Sequence, residues 1–286
     1  MMKKLVLLLI GAAILTGCSS SGYSVKVTDS NKTIVSINGM TITKQDYFER
    51  LLDDYGSSQI LSDALTAIAD KEITDQDEIN KLLKEREKLY SQYADGDLES
   101  YAQSMGFESK DEYINQALLP DVKQELLRNH YIEENYDSLL TEYTVTCIKK
   151  IIVDKESTAL SIIKASTSED AFDKQMEKYS DNAEDAGIVT KNTTLDENLM
   201  KKLGDFSKMT KDGVYSEAIK LSDDSYAVVY VYDTQRKDKS KYIDTLTSDS
   251  DLQEEIEGIY LKKYHFTVND SKLKDAIKKL SSEYIE

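Results

Sequence analysis

Few side chains in this 286-residue sequence can do chemistry by themselves. There are two thiols, Cys18 and Cys147, and two imidazoles, His130 and His265. A cysteine thiolate is a nucleophile and a soft metal ligand; an imidazole moves protons or binds metal near neutral pH. The spacing of these groups supports little of that. Each histidine stands beside a tyrosine (Tyr131, Tyr264) on an expected helix or helix end. That reads as two separate helix-face residues and not as a metal or acid–base pair. Cys147 falls in an apolar run, where a thiol is expected to be buried and inert. No zinc spacing, phosphate-cradling loop or serine–histidine–aspartate arrangement is present, so neither a metal nor a cofactor is expected.

Cys18 is the thiol with a specific context. Lys3 and Lys4 precede an apolar run, Leu5 to Ile14, of the length of a secretory core segment. That run is too short for a spanning helix of about 20 residues. It ends at Leu15-Thr16-Gly17-Cys18, followed by serines, which matches the bacterial lipobox, Leu-[Ser/Thr/Ala]-[Gly/Ala]-Cys. In that pathway the sulfur receives a diacylglyceryl group, the chain is cut before the cysteine, and the new amino group can be acylated. Residues 1–17 are therefore expected to be a lipoprotein signal peptide and residues 18–32 a lipidated flexible tether. The expected location is the cell membrane, on its extracytoplasmic side, because two or three acyl chains hold a protein there where one does so only marginally. Removing residues 1–17 takes away Lys3 and Lys4 and moves the net charge from −17 to −19. Cys147 is then the one remaining thiol, which leaves no intramolecular disulfide.

The rest of the composition bounds the class. Hydrophobic residues make up 40% and charged residues 31%, with a single proline, Pro120, and no tryptophan. This suits a helix-rich chain with a sizeable core. The acidity is spread along the chain, which argues against a nucleic-acid partner, since phosphates demand a basic footprint.

The elements that position everything else separate cleanly. Thr144 to Val153 and Tyr226 to Tyr232 are β-branched and aromatic runs that read as strands; most of the chain before and after this module reads as helix. The expected fold class is α+β, mostly helical N- and C-terminal regions with an inserted module of small antiparallel sheet plus helices. Near the start, Ile34, Val35, Ile37, Met40 and Ile42 surround Asn38-Gly39, the strongest short hairpin signal. Thr43 is expected to cap a helix carrying Tyr47, Phe48, Leu51 and Leu52. Thr74 is the expected cap of the next, Ser109 with Glu112 makes a capping box, and Pro120 restarts a helix over Asp121 to Tyr143. Beyond the polar run Thr234–Lys239, helices are expected over Tyr242–Tyr264 and Ser271–Glu286. Their apolar residues Ile256, Ile259, Leu261, Ile277 and Leu280 need a partner surface.

The hairpin segment Ile37-Asn38-Gly39-Met40-Thr41-Ile42-Thr43, followed by a Tyr/Phe-containing helix, resembles the start of the PrsA foldase lipoproteins and their SurA-like relatives, which open on V-N-G-x-x-I-T. With the lipobox, the long helices and the central insert, the resemblance extends over nearly the whole mature chain. It implies residues 33–143 as an N-terminal helical chaperone region, 144–236 as a parvulin-like domain, and 237–286 as C-terminal helices returning to the N-terminal lobe. Within the central module, Phe172 through Tyr179-Ser180-Asp181, Gly213-Val214-Tyr215-Ser216 and Ser225-Tyr226-Ala227-Val228-Val229 are similar to parvulin segments. Ser166 with Glu169, and Thr194 with Glu197, are the expected caps between them.

The parvulin site residues are replaced. The family's first-strand histidine position reads Lys150, its last-strand histidine reads Ala227, and the acidic or thiol position aligns with Ile188. The prolyl-binding Met and Phe fall near Leu199 and Leu203. With Lys150 packed outward and Ala227 inward, the frame survives without its hydrogen-bond network. The resemblance implies a peptidyl-prolyl cis–trans isomerase (EC 5.2.1.8), and these replacements make weak or absent activity the expectation. The reading is then a membrane-anchored extracytoplasmic foldase or chaperone for newly translocated, unfolded secreted proteins. The client groove is placed at Tyr47, Phe48 and Tyr55, and a homodimer is left open. An active parvulin-type isomerase and a solute-binding or structural lipoprotein are the alternatives.

Overall fold

Asn38 and Gly39 both take left-handed backbone angles, φ +46° and +83°, the pair of values a two-residue type I′ hairpin turn demands. They join β1 (Thr33–Ile37) to β2 (Met40–Thr43), antiparallel partners with Val35 opposite Ile42 and Ile37 opposite Met40. The computed structural model describes residues 27–94 and 96–285; Cys18 and the expected signal peptide lie outside them. Thr43 then caps α1 (Lys44–Glu72) through a reciprocal capping box with Asp46.

Helices follow as α2 (Gln76–Tyr93), α3 (Leu98–Ser104) and α4 (Lys110–Tyr113). The cap of α2 is Asp75, not Thr74, because its carboxylate accepts from the backbone of both Asp77 and Glu78. Ser109 does cap α4, but Glu112 reaches the Glu108 amide instead of that of Ser109. A single π-helical turn, Ile114–Leu118, leads into α5 (Leu119–Glu134). Pro120 sits at the second residue of α5, where the wider turn before it accommodates a residue with no N–H to donate. The helix expected as far as Tyr143 ends at Glu134, and α6 (Tyr136–Glu142) begins after Asn135.

The sheet opens with β3 (Thr146–Val153), followed by α7 (Glu156–Ala165), α8 (Glu169–Lys178) and β4 (Ala183–Val189). Two short helices, α9 (Glu197–Met200) and α10 (Leu203–Phe206), precede β5 (Gly213–Val214), β6 (Ile219–Lys220) and β7 (Tyr226–Tyr232). Ser168 and Asp196 cap α8 and α9, each nearer its helix than the expected Ser166 and Thr194. The strand order is β4-β3-β7-β5, with β6 also on β7, and every pairing is antiparallel. Helices α11 (Lys239–Thr247), α12 (Ser250–Lys263) and α13 (Ser271–Leu280) complete the chain. The long helix expected over Tyr242–Tyr264 is thus two, restarted where the Asp249 carboxylate accepts from the amides of Asp251 and Leu252.

Two units divide these elements: one runs to Arg128 and resumes at Glu254, and the other is Asn129–Gln253. In the first, α1 packs on α13, with Leu273 against the turn that carries Gly56. Glu72, at the end of α1, accepts from Lys263 and Tyr264 at the end of α12. Arg128 pairs with Glu257 at 3.0 Å, and Tyr284 donates to the same carboxylate. The second unit holds the sheet, and also α6 and α11, which the sequence groups with the flanking helices. The reason is packing: the Lys191 amide bonds the Tyr143 carbonyl, and Tyr242 of α11 is buried with its hydroxyl 3.2 Å from Cys147 Sγ.

Candidate functional site

Side chains alternate across a strand, so the register of β3 and β7 settles which residues share a face. Ile148, Lys150 and Ile152 of β3 lie on one face with Ala227, Val229 and Val231 of β7. Leu199, Leu203 and Phe206 cover that face from α9 and α10, with Ile219 of β6 and Leu221 beside them. Lys150 is therefore not turned outward. It shares the face of Ala227, and its ammonium is neutralised at 2.9 Å by Glu184, its cross-strand partner on β4.

Ile188 departs from the expected trio. Its cross-strand partner is Cys147, on the opposite face of β3, so Ile188 does not look toward Ala227. Gly187, at φ +65°, lies in the irregular stretch of β4, and it is Ala186 that packs on the Ala227 cluster. Leu199 and Leu203 do come together with Ala227, but at 1% and 2% exposure they are interior packing. A prolyl ring entering between them has to displace side chains from a close-packed cluster. Of the groups named on this face none is an imidazole, and its carboxylate, Glu184, is committed to Lys150. What remains is an apolar face with one committed lysine.

The edge of the cluster carries a polar constellation that sequence reasoning missed. Tyr215 stacks edge-on against Phe206 with centroids 5.0 Å apart and donates to Asp205 at 3.1 Å. Lys202 reaches Glu217 at 3.1 Å and the Tyr215 hydroxyl at 3.4 Å. Hydrogen bonding to Glu217 and Tyr215 drives the Lys202 ammonium up from its usual range, while burial pushes the Tyr215 phenol up. The spacing of Lys202 and Asp205, one helical turn apart, is the only sequence signal for this group.

On the other face of the sheet Lys149 bonds Glu169 at 2.8 Å and Asp173 at 2.7 Å, and lies over the Tyr232 ring. Cys147 is a buried free thiol, raised above its ordinary range chiefly by burial. Among the described residues no group of three histidines, cysteines or carboxylates could hold a metal ion, and no helix is long and apolar enough to cross a membrane.

The aromatic positions of α1 behave differently. Tyr47 and Tyr55 are 49% and 54% exposed and, with exposed Leu51, stand four residues apart along one helical stripe. Phe48, one position round the helix, is half-buried. The structure thus presents Tyr47 and Tyr55 together and turns Phe48 partly inward.

Neither a protein-family model nor a curated protein matches this sequence. Among solved structures, a peptidylprolyl isomerase (PrsA) from Bacillus cereus is similar with a TM-score of 0.51 and 17% identity, covering 88% of this chain and 99% of that one. Foldase protein PrsA from Streptococcus pneumoniae (TM-score 0.40, 18% identity) is matched over 88% of this chain and 100% of its own. PrsA from Bacillus subtilis (TM-score 0.41, 20% identity) is matched over 87% and 99%. The Bacillus cereus match shows the fold: α+β, helical with a small antiparallel sheet, of the PrsA type.

Proposed function

We propose that this chain is an extracytoplasmic folding factor of the foldase type, anchored through lipidated Cys18 and binding unfolded clients on its helical unit. Its sheet-bearing unit serves as a scaffold with little or no isomerase activity. The observation that carries the reading is the state of the parvulin-like face. Leu199, Leu203 and Ala227 are packed solid, and Lys150 is held by Glu184. Uncatalysed rotation about a peptide bond faces about 18–20 kcal/mol. Lowering that barrier takes an open apolar pocket with tuned donors, and this face offers neither.

Client binding falls to surfaces that remain apolar and wet. The Tyr47–Leu51–Tyr55 stripe supplies amphipathic, low-entropy contact area suited to varied sequences, with half-buried Phe48 one position round the helix. Anchoring by acyl chains would keep such a factor where secreted chains emerge. A homodimer is compatible with this reading and is not needed by it.

The competing reading is an active isomerase, favoured by the name of the Bacillus cereus neighbour. A proline-containing tetrapeptide assay set beside an aggregation assay separates the two. We expect aggregation suppression that survives Lys150→Ala and Ala227→Ser, falls with Tyr47→Ser/Tyr55→Ser, and comes with no acceleration of proline rotation. Rotation at the rate of an active parvulin would overturn the silent-face reading.

A further inference from the structure

The β1–β2 hairpin has an apolar face and no buried residue. Cross-strand pairing sets Val35 opposite Ile42 and Ile37 opposite Met40 on one side, with Ser36 and Thr41 on the other. Ile37 and Met40, which flank the turn, are 58% and 59% exposed. Val35 is also exposed and Ile42 is half-buried. A two-stranded hairpin is marginal in water unless something covers it. Here only its base is tied, by the Lys44 and Gln45 amides to the Lys32 and Ser30 carbonyls.

We infer that this apolar face docks on the surface of the lipid bilayer, with Ile37 and Met40 at the turn entering the headgroup–acyl boundary. The inference rests on the reading of Cys18 as the lipid anchor. Two further observations select a membrane over other occupants. Thr33 follows Cys18 by fifteen residues, a covalent reach of at most about 50 Å, so the hairpin is the first described strand element after the anchor and is held within reach of the bilayer. Tethering makes that contact intramolecular, and a modest apolar face suffices at the resulting effective concentration. Charge points the same way. From Thr33 to Thr43 the hairpin carries no charge, and Lys32 and Lys44 flank it, with the Asp46 carboxylate held by Thr43 beside them. Anionic headgroups attract the two flanking lysines.

The test uses the chain from Cys18 onward, coupled through the Cys18 thiol to a maleimide-headgroup lipid in phosphatidylglycerol–phosphatidylcholine vesicles. Coupling is selective because Cys147 is buried, and it makes the result independent of whether cells acylate Cys18. Amide hydrogen exchange over Thr33–Thr43 should slow at least ten-fold on vesicles relative to the uncoupled chain. Ile37→Ser/Met40→Ser should abolish the slowing, and Lys32→Glu/Lys44→Glu should weaken it on these vesicles and not on pure phosphatidylcholine. All of these positions are exposed or half-buried, and unchanged exchange in the core of α1 verifies folding. Unchanged hairpin exchange on vesicles overturns the proposal. So does slowing that rises with protein concentration in the absence of lipid, which would make a second copy the occupant. Failure of metabolic fatty-acid labelling at Cys18 would instead refute the anchor and leave this readout standing.

Discussion

Tyr242 shows how single residues hold the sheet-bearing unit. Its hydroxyl donates to Asp233 Oδ2 at 2.8 Å and stands 3.2 Å from Cys147 Sγ. Replacing it with phenylalanine leaves the buried thiol without this partner and removes one of the bonds to the Asp233 carboxylate, which keeps the Lys237 amide; the expected cost is about 1–3 kcal/mol by urea denaturation. Cys147 should stay unreactive to a water-soluble disulfide reagent in the folded chain and react fully in denaturant. Rapid modification of the native protein would contradict the burial. Leu203→Ala should cost about 2–5 kcal/mol, the range for deleting a buried leucine side chain. A much smaller loss would mean that the Leu199–Leu203 cluster is looser than its packing indicates and open to a ligand.

Within the helical unit, contacts between elements far apart in sequence join its two ends, as α1 does with α13. Glu72 of α1 accepts from Lys263 and Tyr264, and the Lys263 bond is the main reason its carboxyl lies below the usual glutamate range. A carboxylate lowered on folding adds stability above its unfolded pKa and loses it as the pH falls through the folded value. Glu72→Gln should therefore cost about 1 kcal/mol at pH 7, and the difference from the parent should vanish well below pH 4. An equal difference at both pH values would remove Glu72 as a linked group. Gly258 of α12 makes a second kind of join. A Cβ there would stand 2.7 Å from the Glu283 carbonyl oxygen, so Gly258→Ala must push the C-terminal turn away. The expected signature is a lower midpoint in denaturant together with faster exchange at residues 282–285.

For the whole molecule, continuity of the helical unit is the issue. Its chain leaves at Arg128 and returns at Glu254, and the Arg128–Glu257 pair brings those ends close enough for a short link. Replacing residues 129–253 by a brief Gly/Ser linker is expected to leave a helical protein that unfolds in one cooperative step. Residues 18–128 alone should not, since α13 and the partners of Glu72 would be missing. If the shorter piece proved equally stable, the return of the C-terminal helices would not matter to folding. Client binding, on our reading, would survive in the linked form.

Local chemistry was legible in the sequence where a residue type admits one backbone solution. Asn38-Gly39 forced the hairpin turn, Thr43 took its cap, and the β-branched run Tyr226–Tyr232 became β7 to the residue. Caps failed by a residue or two where several side chains competed, as Asp75 did with Thr74 and Ser168 with Ser166, because any short polar side chain in reach can accept the same amides. The α+β class followed from periodicity. The candidate site did not, because a one-residue difference in strand register moves a side chain to the other face. Lys150 and Ala227 therefore share a surface while Ile188 looks away, a fact set by pairing across β4, β3 and β7. The Lys202–Asp205–Tyr215–Glu217 edge and the allegiance of α6 and α11 were likewise decided only in three dimensions. Both depend on contacts between segments whose sequences carry no mark of each other.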